Sequence, residues 1–248
     1  MTINYTGVTL RHNKRIILSD VNFLAQPGEM IYLTGLVGSG KSTLLSSIYG
    51  NTIIHSGKAK VLNYDMSHIG NSKLQHLRRK IGIVHQDLRL LSDRTVQENL
   101  DFVLRATEWN SKDIRQERIE EVLSWVQLTD KLHCYPHELS GGQKQCICIA
   151  RSILNHPELI LADEPTGQLD SENGELVMAL LYEVRRQTGC TVVVSTHNPQ
   201  WPEIFPGTTY VCQDGKLIKR HSAPQNSTTI ESIERYEIDN EGADTQEN

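Results

Sequence analysis

Short apolar runs bounded by turn residues recur along the chain and predict the buried strands of a sheet. They are four or five residues long and cover residues 30–33, 81–84, 159–162 and 191–195. Runs this short, with turn signals at their ends, are typical of core strands. The segments between them carry apolar residues at three- and four-residue spacing, which indicates amphipathic helices. This alternation predicts an α/β fold.

Start signals place several of the helices. Thr95 and Glu98 have the spacing of a capping box, and apolar residues follow at helical spacing. Ser111 can cap a second helix, whose apolar side we expect to hold Ile114, Val122, Leu123 and Val126. Further helices are predicted over residues 43–48, 144–154 and 174–186. Residues from about 90 to about 137 are therefore predicted to be a helical insertion.

The two ends of the α/β region have the character of strands and turns. In the first sixty residues, short strands are predicted over 16–18, 21–25 and 58–62, with a turn over 26–29. Near residue 213 the pair Asp214-Gly215 lies between two apolar runs. An Asp-Gly pair in this position strongly indicates a β-hairpin.

Composition and charge restrict the class of protein. The 248 residues are 38% hydrophobic, which suits one α/β domain with a sizeable core. The net charge of −5 divides into −6 over residues 221–248 and about +1 elsewhere. The body therefore lacks the basic field of a nucleic-acid-binding protein, and we expect no nucleic-acid partner. The polar, acidic last segment is expected to be disordered.

Compartment and redox chemistry follow from what the sequence lacks. No apolar run approaches the ~18–20 residues that span a bilayer, and the first residues do not resemble a signal peptide. We therefore expect a cytoplasmic protein. The five cysteines show no metal-binding spacing and are expected to be reduced structural thiols.

A glycine-rich loop carries the first chemical prediction. Residues 35–42 have the pattern G-x-x-x-x-G-K-S between a predicted strand and a predicted helix. Such a loop points backbone N–H groups and the positive end of a helix at phosphate oxygens. Lys41 is expected to reach the β- and γ-phosphates and Ser42 to hold Mg²⁺. The other predicted nucleotide-binding residues of the loop are Gly35, Leu36, Val37, Gly38, Ser39, Gly40 and Thr43.

Two adjacent acids end the apolar run at residues 159–162. Beside a nucleotide site, Asp163 is expected to hold Mg²⁺, and Glu164 to direct a water at the γ-phosphorus. Gln86 and His197 follow other predicted strands and would lie at the same edge of the sheet. Gln86 would offer an oxygen to Mg²⁺ or water. His197 would contact the γ-phosphate and orient Glu164.

A second glycine-rich turn, residues 139–143, precedes another predicted helix. It would form a second anion site from Ser140, Gly141, Gly142 and Gln143. A chain with one phosphate loop does not need two phosphate clamps. We therefore expect a head-to-tail homodimer in the ATP-bound state, in which this turn covers the γ-phosphate held by the other copy. A simple helix cap is the alternative interpretation of the same residues.

Together these segments resemble the ATP-binding cassette (ABC) ATPases over about residues 1–220. Residues 35–42 match the Walker A loop, 139–143 the signature motif and 159–164 Walker B, while Gln86 and His197 match the Q-loop and the switch histidine. The resemblance implies a P-loop NTPase with a RecA-like mixed sheet, an N-terminal antiparallel β subdomain and a helical subdomain inserted at about 90–150. It also implies ATP hydrolysis with Mg²⁺, and a nucleotide contact from Asp170 in the D-loop.

Two positions depart from the family pattern. His12 stands where the family usually stacks an aromatic ring on adenine, and Tyr5 is an alternative for that role. Cys146 stands where an arginine usually follows the signature motif.

Residues 81–87, 90–100 and 162–167 resemble a narrower group, which contains the FtsE-type cell-division ATPases and the lipoprotein-release and macrolide-export ATPases. The FtsE resemblance implies a membrane partner of the FtsX type and control of cell-wall hydrolysis, with the chain attached peripherally to the inner membrane face. Lipoprotein release and macrolide-type export are the alternatives. An ATP-gated clamp on nucleic acid or ribosomes is a remote one. The partner would contact a groove formed by Leu88, Leu90 and Leu91, unless these pack inside the helical lobe.

Overall fold

The structure is a computed structural model that describes residues 1–13 and 15–220. The expectation of a disordered tail concerns residues 221–248, which lie outside the described residues. In the described part, every helix is too short or too polar to cross a membrane.

Strands and helices follow one another as the alternating pattern predicts. The strands are β1 (Ile3–His12), β2 (Arg15–Ala25), β3 (Met30–Thr34), β4 (Ile54–Val61), β5 (Tyr64–Asp65), β6 (Ile81–Val84), β7 (Leu159–Asp163), β8 (Thr191–Ser195), β9 (Thr208–Gln213) and β10 (Lys216–Arg220). The helices are α1 (Lys41–Ile48), α2 (Asn71–Arg79), α3 (Val96–Ala106), α4 (Lys112–Trp125), α5 (Gly141–Ile153), α6 (Ser171–Thr188) and α7 (Trp201–Ile204).

The strands form two sheets. The first is antiparallel, with the order β2-β1-β4-β5, and belongs to the N-terminal region. The prediction of two separate strands over 16–18 and 21–25 is wrong, because β2 is continuous. Asp20 takes a left-handed backbone conformation within it, with φ 54°. The polar residues that interrupt the apolar pattern therefore lie at an irregularity of the β1–β2 pairing and do not end the strand.

The second sheet has the order β10-β9-β3-β8-β7-β6 and carries the site. Strands β9, β3, β8, β7 and β6 are parallel, and β10 closes the edge as a hairpin with β9. The predicted turn is present, with positive φ at Asp214 (50°) and Gly215 (71°), as this type of hairpin turn requires. Because neighbouring parallel strands end at one edge, the residues that follow β3, β6, β7 and β8 converge there.

The apolar core lies on both faces of the second sheet. Along β7, Ile160 and Ala162 pack with the core that includes α3 to α6. Leu159 and Leu161 pack on the opposite face with α1 and the first sheet. This alternation with a period of two fixes the register of the strand that ends in the acidic pair.

The helical region contains α3, α4 and α5 between β6 and β7. The Thr95–Glu98 capping box at α3 and the Ser111 cap of α4 are both present, which confirms those predictions. Ile114 is 53% exposed, so its predicted place on the apolar side of α4 is wrong. It lies in the first turn of α4, where the buried stripe has not yet begun, since the buried residues of the helix start at Arg118.

Candidate functional site

The glycine-rich loop joins β3 to α1, as the sequence predicts. Gly35, Gly38 and Gly40 have φ values of 137°, 80° and 105°, which L side chains rarely adopt. At Gly40 a Cβ would also lie 3.0 Å from the side chains of Ile17 and Leu18. No side chain caps α1, so its first N–H groups remain available to an anion. The loop has the backbone form that phosphate binding requires.

The tip of the loop is exposed, whereas its lysine is buried. Leu36 and Val37 are 84% and 89% exposed. The Nζ of Lys41 donates to the carbonyl oxygens of Gly35 at 2.8 Å and Leu36 at 3.2 Å. It also lies 3.5 Å from Oε1 of Glu164. A buried ammonium is costly unless it is paired and hydrogen-bonded, and these contacts satisfy it at the loop.

Oxygen atoms that could hold a divalent cation lie at the end of β7. Oδ1 of Asp163 accepts hydrogen bonds from the hydroxyls of Ser42 at 3.0 Å and Ser195 at 2.5 Å. Gln86 is exposed and follows the adjacent strand β6. Hard oxygen donors in small number suit Mg²⁺, which usually keeps waters and substrate phosphates in its shell. Among the described residues there is no group of three or more His, Cys, Asp or Glu side chains that could hold a metal ion.

The second acid of the pair is held by charged and polar partners. Glu164 has a left-handed backbone, with φ 48°, and its amide donates to the carbonyl oxygen of Ser195 at 3.1 Å and to its hydroxyl at 3.0 Å. Its Oε2 lies 2.8 Å from Nδ1 of His197 and accepts from the backbone N–H of that residue at 3.3 Å. Since a carboxylate only accepts, Nδ1 carries the proton. Backbone strain of this kind is concentrated at functional sites.

The second glycine-rich turn, residues 139–143, caps α5 and packs against residues in and just before α6. Ser140 caps α5 through a capping box with Gln143, in which the two N–H···O distances are 3.2 and 3.0 Å. Gly142 packs closely against Asn173 of α6, and Gly141 lies beside Leu169. Asp170 caps α6, and the N–H groups of Asn173 lower the pKa of its carboxyl. The turn is therefore a helix cap, as the alternative interpretation predicts. The exposed N-terminus of α5 is also compatible with the other interpretation, a second anion site.

The structure corrects the alternative for adenine stacking. Tyr5 is 2% exposed, and its hydroxyl lies 3.2 Å from that of Ser47. Burial raises its pKa, and its ring packs nearly perpendicular to that of Phe23, with the ring centroids 6.4 Å apart. No face of Tyr5 is open to a base, so the suggestion that it stacks on adenine is wrong. His12 ends β1 and is exposed, and its adenine contact stays a prediction.

One residue at the site was missed in the sequence. Ser195 is fully buried and bridges Asp163 to the amide of Glu164. One sign of this role was present in the sequence: Ser195 ends an apolar strand that neighbours the strand with the acidic pair. Cys146 is partly buried against the larger core, and burial raises its pKa to about 11, so it remains a neutral thiol.

Comparisons with known proteins agree with this geometry. A family model described as ABC transporter matches residues 18–167. The cell division ATP-binding protein FtsE of Streptococcus pneumoniae is 37% identical over 210 residues, which are 85% of this chain and 90% of that protein. The methionine import ATP-binding protein MetN 2 of Salmonella typhi is also 37% identical, over 82% of this chain and 60% of MetN 2.

A solved structure is similar as well. The ATP-binding cassette MJ0796, in a dimeric post-hydrolysis state bound to ADP and Pi, has a TM-score of 0.78 and 32% sequence identity. The match covers 89% of this chain and 100% of that one. Sequence, fold and the edge that joins Lys41, Asp163 and Glu164 thus agree. The chain belongs to the ABC transporter family and is an ATP-hydrolysing, ATP-binding subunit.

Proposed function

We propose that residues 1–220 form one ABC ATPase domain, with a helical subdomain inserted at about 90–150, and that ATP is hydrolysed at the carboxyl edge of the second sheet. One observation carries this proposal: a chain of contacts of 3.5 Å or less runs from Lys41 through Glu164 to His197. Ser42 lies 3.0 Å from Asp163 beside it. A phosphate-binding lysine, a metal-binding pair and a carboxylate base therefore share one place.

In this mechanism each side chain has a separate task. Lys41 and the N–H groups of residues 35–43 bind the β- and γ-phosphates. Ser42, Asp163 and Gln86 would hold Mg²⁺, which supplies charge neutralisation at the phosphate oxygens. Glu164 takes a proton from the attacking water, and His197 fixes its carboxylate through Oε2. Oε1, which lies 3.5 Å from Nζ of Lys41, receives the proton once Lys41 binds the phosphates. A base of this type contributes about 10²–10⁴-fold to the rate.

We further propose that a second copy completes each site. Residues Ser140, Gly141, Gly142 and Gln143 of one copy would cover the triphosphate held by the loop of the other, with Asp170 beside them. Their place at the N-terminus of α5 supports this, since helix N-termini attract anions. MJ0796, bound to ADP and Pi as a dimer, is a precedent for a nucleotide-bound dimer of this fold. His12 would contact the adenine.

For the biological role we propose an FtsE-type subunit, cytoplasmic and attached to the membrane through an FtsX-type partner, that acts in cell division. The match over 90% of the pneumococcal FtsE supports this role. Methionine import is the second candidate, because the match to MetN 2 has the same identity.

The segment after Gln86 offers a surface for that partner. Leu88 and Leu90 pack partly against the larger core, which supports the packing alternative for those two. Leu91 is 36% exposed, and the side chain of Asn99 holds its backbone with N–H···O contacts of 2.7 and 3.1 Å. Phe102, 47% exposed, lies under the guanidinium of Arg94 in the same segment. Of the three leucines of the proposed groove, Leu91 is the most exposed to a partner.

Co-purification tests the partner and the surface together. The chain is expressed with an FtsX-type membrane protein or with a methionine-importer membrane subunit, and the bound fraction is measured. We expect capture by the first, and a loss of at least about tenfold for Leu91→Asp, since an unpaired charge would be buried. Ile53→Asp is the matched control, because Ile53 is exposed (84%) and lies beyond α1. Capture by the importer subunit alone would overturn the FtsE-type role.

A further inference from the structure

The turn that follows Gln86 has an unusual backbone. Leu88 and Arg89 are consecutive residues with φ values of 58° and 52°, and neither is glycine. A left-handed conformation is unfavourable for residues that carry a Cβ, and two in succession persist only where surrounding contacts stabilise them. Local bonds are few: the amide of Leu88 donates to His85 at 3.2 Å and that of Arg89 to Asp87 at 2.6 Å.

Helix α5 supplies the stabilising contacts. The guanidinium of Arg151 donates to the carbonyl oxygen of Arg89 at 2.6 Å and to that of Leu88 at 2.7 Å. The thiol of Cys148, one turn earlier, also donates to the carbonyl of Leu88, with an S···O distance of 3.2 Å. Burial raises the pKa of Cys148 to about 11, so this thiol keeps its proton and remains a donor. Both left-handed residues are thereby tied to one face of α5.

The hydrogen bonds from Arg151 to Leu88 and Arg89 join two different parts of the proposed site. Helix α5 is capped by Ser140, in the turn proposed to cover the triphosphate, and the strained turn lies two residues after Gln86. The chain beyond it is held separately, because Asn99 of α3 bonds to Leu91 and Arg94. Asp87 and Arg89 pair at 2.9 Å, but both side chains are about 60% exposed, so this pair is weak.

We propose that Arg151 is a positioning residue: by holding the Leu88 and Arg89 carbonyls, it stabilises the left-handed turn that orients Gln86 and couples Gln86 to the signature helix. The proposal rests on the proposed role of Gln86 at the metal and the water. Removing Arg151 is expected to slow turnover and to leave nucleotide binding intact, because the phosphate loop makes no contact with this turn among those described.

The first experiment compares Arg151→Met with wild type in steady-state ATP hydrolysis. We expect kcat to fall about tenfold, because the cost of the left-handed conformation corresponds to about this factor and Arg151 no longer compensates for it. The KM for MgATP should change less than about twofold. Arg78→Met is the matched control, since Arg78 also donates to two carbonyls, of Tyr49 at 3.0 Å and Gly50 at 3.4 Å. Its kcat should stay at the wild-type value.

The second experiment is a rescue that only a backbone role predicts. Glycine adopts the left-handed region without penalty, whereas alanine does not. In the Arg151→Met chain, Arg89→Gly should therefore recover most of kcat, and Arg89→Ala, which removes the same side chain, should recover none. Equal effects of the two substitutions would overturn the proposal, as would an unchanged kcat in Arg151→Met. Should Arg151→Met not fold, Arg151→Lys, which keeps the charge but not the two-pronged donor, replaces it with the same expectations.

Gln86→Ala, measured in parallel, separates two kinds of failure. If Gln86→Ala lowers kcat and Arg151→Met does not, the coupling through Arg151 is wrong and the proposed role of Gln86 stands. If Gln86→Ala has no effect on kcat, the role of Gln86 is wrong, and the inference about Arg151 is wrong with it.

Discussion

Ser195 offers a substitution whose effect can be worked out from its contacts. The hydroxyl donates to Asp163 and accepts from the amide of Glu164. In Ser195→Ala that amide keeps the carbonyl oxygen of residue 195 at 3.1 Å, and Asp163 keeps the hydroxyl of Ser42 at 3.0 Å. No polar group is therefore orphaned. The loss is one hydrogen bond to a charged group, together with one from an amide that keeps another acceptor.

Such a bond is worth about 1.5–3 kcal/mol, and we expect the lower half of this range because both partners keep another contact. For a domain of this size the melting temperature should fall by about 3–8 °C. Asp163 is also less firmly oriented, so the Mg²⁺ concentration for half-maximal ATP hydrolysis should rise about tenfold, as for other residues behind a metal ligand.

The assays are thermal unfolding and a Mg²⁺ titration of ATP hydrolysis. Ser152→Ala is the matched control: Ser152 is 6% exposed, and its hydroxyl donates only to Ile149 of its own helix, at 2.7 Å. We expect this control to stay close to wild type in both assays, because alanine is the better helix former. If Ser195→Ala behaves like Ser152→Ala, the bridge to the acidic pair has no importance for stability or metal use.

Three further predictions follow. Glu164→Gln should bind MgATP with wild-type affinity, measured with a fluorescent nucleotide, and lose about 10²–10⁴-fold in turnover, and wild-type turnover would contradict the assignment of the base. Burial lowers the pKa of His85 and His156 below the usual 6.5, so the unfolded chain binds protons first as the pH falls. The free energy of unfolding should therefore drop below about pH 6.5, and it should drop less steeply in the double variant His85→Gln/His156→Gln. The same slope of unfolding free energy against pH in wild type and double variant would refute this cause. Gly82→Ala would push a Cβ into the carbonyl of Ser152, and chemical denaturation should show a loss of about 1–3 kcal/mol, which a wild-type midpoint would contradict.

Features set by local chemistry were predictable from the sequence. The Thr95 capping box and the Asp214–Gly215 hairpin depend on residues within a few positions of each other, and both are present. The convergence of Lys41, Asp163 and His197 was also predictable, because parallel strands that end at one edge bring distant motifs together.

Features set by packing between distant segments were not predictable in this way. The bond of Arg151 to Leu88 joins residues 63 positions apart, and no periodicity marks it. The burial of Tyr5 depends on how β1 packs on α1, where it meets Ser47. An aromatic residue on a predicted strand gives no sign of whether its face is covered, so the sequence left Tyr5 open as an adenine contact.

A mixing experiment tests most directly whether two copies share each triphosphate. Lys41→Ala removes the phosphate-binding lysine, and Ser140→Arg blocks the covering turn, so each variant alone should hydrolyse ATP at a negligible rate. In mixed dimers of the two, one site would combine both defects and the other would be intact. Hydrolysis by the mixture well above the rate of either variant is the predicted result. A mixture as inactive as its components, with dimers present, would contradict a shared site.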